Sequence, residues 1–215
     1  MESVGFGYLF AVASAASAGA ATVVGKWNLE FISPLLMNSL IFSVAGVVLG
    51  AVVVPTRGLQ TVFRHSRQAW MWVALFSLSS WVAIWAFWTG VQKMDPSLAA
   101  FLNRTEVFVA IILAIIFLRE RFNRKEAFGA ALSIAGIIIM KLTLRFEYSA
   151  GFWFVLIGAL FFGVTEYMSK NAVRYVEPAV LAFLRNSFLA VTYWLALWIS
   201  GVHFDGLAHV WPGVV

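Results

Sequence analysis

The chain has 215 residues, of which 62% are hydrophobic and 12% charged, and its mean hydropathy is +0.88. A soluble domain is about half apolar and about a quarter charged, so this composition excludes an ordinary soluble fold and indicates a membrane chain. The net charge of +5 raises nucleic acid as a partner, but basic residues in so apolar a chain mark loops at the membrane surface, and nucleic-acid binding is set aside.

The absence of cysteine removes disulfides, thiolate chemistry and Cys-ligated metals. His65, His203 and His209 lie in or near expected loops and form no ligand cluster, so neither a metal nor a cofactor is expected. The opening "MESVGFGYLF" has no basic leader and runs on into an apolar stretch long enough to span, which reads as a helix rather than a cleavable signal.

Seven segments approach the roughly 20 apolar residues that a helix needs to cross the hydrocarbon: 4–25, 34–54, 69–91, 97–118, 124–141, 150–170 and 178–200. They predict an all-α, polytopic membrane helix bundle whose main partner is the lipid bilayer. The first, with "AVASAASAGAAT", is small-residue packing surface. Pro34 opens the second at a position where its missing N–H costs nothing, as Pro96 and Pro178 do further on. Asn38 in this second span reads as interhelical glue. In the third, Trp81, Trp85 and Trp88 recur on one face. They form either a stacking wall for an aromatic or cationic substrate or plain packing against lipid or a neighbouring helix.

The fourth span carries Asn103, Arg104 and Glu106 just ahead of "IILAIIFL". The two charges cost about 5–7 kcal/mol on the insertion scale, and the apolar residues from Val107 to Leu118 return about 3–6. The helix alone is near break-even, so these groups are expected to line protein or a wet cavity. Measured from Pro96 along a continuous helix, Arg104 lies about 12 Å deep and Glu106 about 15 Å. Two residues apart, they point about 200° from each other and should not pair, whereas Asn103 and Glu106 share a face. Glu106 reads as a cavity carboxylate for a cationic substrate or a coupling proton, or as a helix-clamping salt bridge. Arg104 reads as a substrate-anion anchor or as the partner of another acid.

The fifth span shows a Gly129, Ser133, Gly136 packing stripe. Glu166 in the sixth and Arg185 in the seventh both fall about 10 Å from the same face, which predicts an ion pair with Tyr167 and Asn186 nearby. Nine basic residues, Arg57, Arg64, Arg67, Arg119, Arg121, Arg124, Lys125, Lys170 and Arg174, lie on the N-terminal side; four, Lys26, Lys93, Lys141 and Arg145, lie opposite. The positive-inside rule then makes the N-terminus cytoplasmic.

An offset of 144 residues matches Gly7, Phe10, Ala15, Gly19, Lys26, Pro34, Leu40 and Ser43 with Gly151, Phe154, Ala159, Gly163, Lys170, Pro178, Leu184 and Ser187. A five-helix unit repeated once enters the membrane in opposite senses, the inverted-repeat plan of many secondary transporters. Residues 1–144 form the first unit, and 145–215 hold two helices and the start of a third, where Gly206, Leu207 and Trp211 echo Gly58, Leu59 and Trp70. About seven of an expected ten helices are present, roughly 70 residues short, so the chain reads as a fragment or truncated product.

The stretch "FLNRTEVFVAIILAIIFLRERFNRKEAFGAALSIAGIIIM" resembles the end of an EamA domain, the repeat unit of the drug/metabolite transporter superfamily. It has a helix closing on Glu120, a polar turn, and a helix with "GAALSIAG". The resemblance extends over essentially the whole chain and implies a ten-helix bundle with cytoplasmic termini that exports or exchanges small metabolites through a central cavity. The chain departs from the pattern at Glu106, where many members have proline.

The function expected is therefore a secondary transporter in the cell membrane, the bacterial inner membrane. It moves a small polar or amphipathic solute by alternating access, with proton coupling open and oligomeric state undefined. An integral membrane enzyme would need a His/Asp/Glu/Ser constellation that is not visible. A seven-helix retinal receptor would need a lysine within 178–200, which contains none.

Overall fold

The computed structural model describes residues 2–118 and 149–201, with 128, 129, 131, 132, 135, 136 and 139 between them. Most of the expected span 124–141 lies outside these residues, as do Arg119, Glu120, Arg121, Lys141, Arg145 and the positions beyond Gly201. Among the described residues the chain is helical and has no strand: α1 (Glu2–Asn28), α2 (Pro34–Arg57), the short α3 (Leu59–Phe63), α4 (Arg67–Gln92), α5 (Pro96–Asn103), α6 (Glu106–Leu118), α7 (Ala150–Ala172) and α8 (Pro178–Ser200). Among the described residues five stretches, α2, α4, Pro96–Phe117, α7 and α8, are long and apolar enough to cross a membrane.

Helix starts follow local chemistry. The Ser33 and Ser66 hydroxyls accept hydrogen bonds from the amides of Leu36 and Ala69, each at 3.2 Å, and the Asp95 carboxylate accepts from Ser97 and Leu98. Each satisfies amides that the first turn leaves unpaired. Pro34, Pro96 and Pro178 occupy the first helical positions, as expected. α8 ends on Gly201 in the left-handed region, where a side chain is disfavoured.

Packing is concentrated between α4 and α7 and between α2 and α8. A Cβ placed on Gly46 would lie 3.7 Å from the Ser187 hydroxyl, and one on Gly50 would meet the Phe183 ring. As numbers rise along α2 they fall along α8, so these two proline-opened helices run antiparallel. Three buried layers lie along the bundle. Leu36, Met37, Phe87, Val91 and Val155 occupy one end; Phe42, Ile84, Leu189 and Tyr193 the middle; and Val53, Val73, Phe76, Val180 and Leu184 the other end. Of the small-residue stripe expected in the fifth span, a Cβ on Gly136 would lie 3.8 Å from Phe101, while one on Gly129 would touch nothing within 4 Å.

Lys26, near the end of α1, donates to the carbonyls of Val91 (3.0 Å) and Gln92 (2.9 Å), and Gln92 donates back to Leu29 O. The ammonium thus caps a helix C-terminus, where carbonyls are unpaired and the dipole favours a cation. Lys26→Met is expected to lower stability by about 1–2 kcal/mol through the loss of charged hydrogen bonds, read as a lower thermal midpoint in detergent.

Candidate functional site

The expected continuous helix over 97–118 is instead interrupted at Arg104 and Thr105. Across the junction the amides of Arg104, Thr105, Val107 and Phe108 each bond the carbonyl three residues back, at 3.0–3.2 Å. This tightened winding changes the angular relation of nearby side chains. Arg104 Nη1 therefore comes within 3.9 Å of Glu106 Oε1, which corrects the expectation that the two could not meet. Asn103 Nδ2 donates to Glu106 Oε2 at 3.0 Å, so the anticipated shared face is present.

The break also explains why charges are tolerated there. Arg104 is the C-cap of α5 and Glu106 begins α6. A cation at a helix C-terminus and a carboxylate at an N-terminus are each favoured by about 0.3–1 kcal/mol. The two side chains are not equally enclosed: Arg104 is 61% exposed and Glu106 22%. Glu106 belongs to a packed polar knot, and Arg104 extends from it. Gly163 of α7 lets the first turn of α6 approach, since a Cβ there would press on Val109 and the Glu106 carbonyl.

Glu166 and Arg185 do not form the expected ion pair. Glu166 is exposed on α7, and no carboxylate among the described residues lies within 4.0 Å of Arg185. The two share a depth, but Arg185 turns toward α4. Its Nε donates to Ser80 Oγ at 2.9 Å, and its guanidinium lies 5.3 Å from the Phe76 ring and 6.0 Å from Phe42. Ser80 in turn donates to Phe76 O at 2.7 Å. Asn186 is buried and donates to Ala182 O in its own helix, and Tyr167 packs against Trp72 and Phe117, so neither joins Arg185 in a polar pair.

Trp81 and Trp85 belong to a column of rings. Phe42 stacks on Tyr193 (5.8 Å), Tyr193 on Trp81 (5.2 Å) and Trp81 on Trp85 (6.2 Å), with interplanar angles of 9°, 21° and 16°. The column joins α2, α8 and α4, and the Tyr193 hydroxyl locks it by donating to Trp81 O at 2.8 Å. Trp88 packs against the same central layer as Trp81 and Trp85, and beside Phe87 and Gly25. Tyr193→Phe keeps the stacking and removes one interhelical hydrogen bond, while Trp81 O keeps its partner within α4. It is expected to cost about 0.5–1.5 kcal/mol, measured as a shift in the thermal unfolding midpoint.

Asn38 is 0% exposed, and neither of its amide atoms has a hydrogen-bond partner among the described residues. Interhelical glue needs a donor or acceptor on the facing helix, and no described side chain supplies one, so that reading is corrected.

A family model described as the EamA-like transporter family matches residues 5–142. The chain belongs to that family. Among curated proteins it is 33% identical over 88 residues to a protein of Pseudomonas fluorescens named as a probable 4-amino-4-deoxy-L-arabinose-phosphoundecaprenol flippase subunit ArnE; the match covers 40% of this chain and 71% of the relative. An uncharacterized transporter of Acidianus ambivalens is 32% identical over 47% of this chain and 44% of its own length. The uncharacterized transporter YetK of Bacillus subtilis is 28% identical over 63% of this chain and 41% of its own length. The chain thus spans less than half the length of two of these relatives. A solved crystal structure shares the fold with a TM-score of 0.65 and 17% identity, over 91% of this chain and 74% of the other.

As a member of the EamA-like transporter family, the chain is an integral membrane protein built as a polytopic helical bundle. Several of its polar residues escaped the sequence reading. Ser77, Ser79 and Ser80 are buried in α4; Ser80 holds Arg185, and the Ser79 hydroxyl meets Thr165 of α7 at 3.1 Å. The available signal was "FSLSSWV", three hydroxyls in the middle of an apolar span. The role of Tyr193 needed knowledge of a neighbour 112 positions away.

Proposed function

We propose that the protein is a secondary transporter that exports or exchanges a small polar or amphipathic solute by alternating access, with Glu106 on the solute or proton path. The observation that carries this reading is the interrupted span, in which Asn103, Arg104 and Glu106 gather where α5 gives way to α6. Discontinuous helices whose ends present charge and unpaired backbone are the common substrate and ion sites of such transporters. The antiparallel course of α2 and α8 agrees with two oppositely inserted repeats, divided near residue 144. The excess of Lys and Arg on the N-terminal side supports a cytoplasmic N-terminus, in the bacterial inner membrane.

The relationship to the ArnE protein favours a second reading, in which the solute is lipid-linked and is moved between leaflets. Metabolite profiling of cells expressing the gene, against an empty vector, separates the two. Export predicts a rise of about tenfold, on the scale of 1.4 kcal/mol, in one soluble metabolite in the medium. Leaflet transfer predicts a change only in lipid-linked species. Identical soluble and lipid profiles from the two cultures overturn both.

A further inference from the structure

We infer that Arg185 is an anion-binding point, poised to take a carboxylate or phosphate oxygen of a solute whose remaining body is flat or apolar. The inference rests on the transport reading and names the chemistry of its cargo.

Arg185 lies about 10 Å along α8 from Pro178, well within a stretch that spans the membrane. Its guanidinium is fixed from one side: Nε is committed to Ser80 Oγ, and the Phe76 and Phe42 rings flank the carbon centre. Nη1 and Nη2, at the far edge, hydrogen bond to no described residue. They carry four N–H donors in a planar fork that matches the two oxygens of a carboxylate or phosphate. Glu166 is the acid whose charge reaches Arg185, but its carboxylate stays beyond 4.0 Å, so no described carboxylate pairs with the fork. A cation at membrane depth with no carboxylate of the described residues within 4.0 Å is costly, and an anionic ligand would relieve that cost.

The neighbourhood selects the rest of the ligand. Phe42, one of the two rings beside Arg185, is also the first ring of the column that continues through Tyr193 to Trp81. Phe42 and Tyr193 are buried within this column, so the apolar part of a ligand would reach its half-buried members, Trp81 and Trp85, which suit an indole, a phenyl ring or the first carbons of a lipid tail. Carboxylate-bearing solutes and lipid-linked phosphates share this chemistry.

The test uses the purified protein in nanodiscs of uncharged phosphatidylcholine, with N-acetyltryptophan, its neutral amide, phenyl phosphate and dodecyl phosphate as probes. The acid is expected to bind at least about tenfold more tightly than the amide, the scale of one charged hydrogen bond. That preference collapses in Arg185→Gln and persists in part in Arg185→Lys. Should Arg185→Gln not fold, Ser80→Ala, which frees the guanidinium from its anchor, is expected to weaken the acid and spare the amide. Tighter binding of dodecyl than of phenyl phosphate identifies a lipid-linked source, and the reverse identifies a soluble one. Equal binding of acid and amide, or a preference unchanged in the variants, overturns the inference. Solute flux is scored separately. Flux without Arg185-dependent anion binding leaves the transport reading standing alone, and anion binding without flux of any solute does the opposite.

Discussion

Replacing Gly90 with leucine is expected to drive α4 and α7 apart and cost more stability than any other single change proposed for this chain. A Cβ on Gly90 would stand 2.9 Å from the Gly151 carbonyl and 2.9 Å from the Val155 amide nitrogen. The fit is reciprocal, since a Cβ on Gly151 would lie 3.0 Å from Gly90 O, and one on Gly158 3.0 Å from Phe87 N. These obstacles are backbone atoms in two helices, so no rotamer change relieves them. Extra methylenes in a packed interior cost about 1–3 kcal/mol even where side chains can yield, and small residues are what allow membrane helices to touch at all. The measurement is the thermal midpoint and the monodisperse fraction in detergent, with Gly19→Leu as the comparison. A Cβ at Gly19 meets nothing within 4 Å, so that variant stays within about 0.5 kcal/mol of the parent. Equal losses at the two positions contradict the backbone contact.

Glu106→Gln is expected to reduce flux by at least about tenfold while the protein still inserts and folds. The two halves of that expectation have separate grounds. Glutamine keeps the size of the side chain and a carbonyl oxygen to accept from Asn103, now 3.0 Å from Oε2. What disappears is charge: about 0.3–1 kcal/mol of interaction with the start of α6. With it goes the 3.9 Å approach of a 61%-exposed Arg104, and an exposed pair of this kind contributes about 0–1 kcal/mol. A stability loss near 1 kcal/mol cannot account for a tenfold loss of flux, so a large functional defect isolates the carboxylate itself. Vesicle flux across a range of pH, alongside thermal unfolding of the same preparation, is the measurement. Parental flux at every pH removes Glu106 from the path.

Much of the architecture was legible because its causes are local. Pro34, Pro96 and Pro178 mark helix starts by their own ring geometry, and the serine and aspartate ahead of three helices cap them. The interruption at Arg104 was less visible. An apolar run records what the bilayer tolerates but not whether an amide bonds three or four residues back, although the near break-even cost of the span already set it apart from its neighbours. The Glu166–Arg185 expectation failed for a geometric reason. Counting residues yields depth along a helix, while the direction around its axis depends on which helices lie beside it. Arg185 turned to Ser80 and two phenyl rings, partners that depth alone does not single out. The tryptophan stripe was correctly read as one face over Trp81 and Trp85, but its stacking partner, Tyr193, belongs to a helix far along the chain.

The two largest helix–helix seams, α4 on α7 and α2 on α8, both join residues before position 144 to residues after it. Among the described helices, then, packing runs across position 144 rather than closing on either side of it. During synthesis α2 and α4 gain these two seams only once α7 and α8 have left the ribosome. Until then Ser79 and Ser80 of α4 lack Thr165 and Arg185, the partners that α7 and α8 bring to them. A nascent chain arrested near residue 144 should accordingly be a substrate for membrane quality-control proteases.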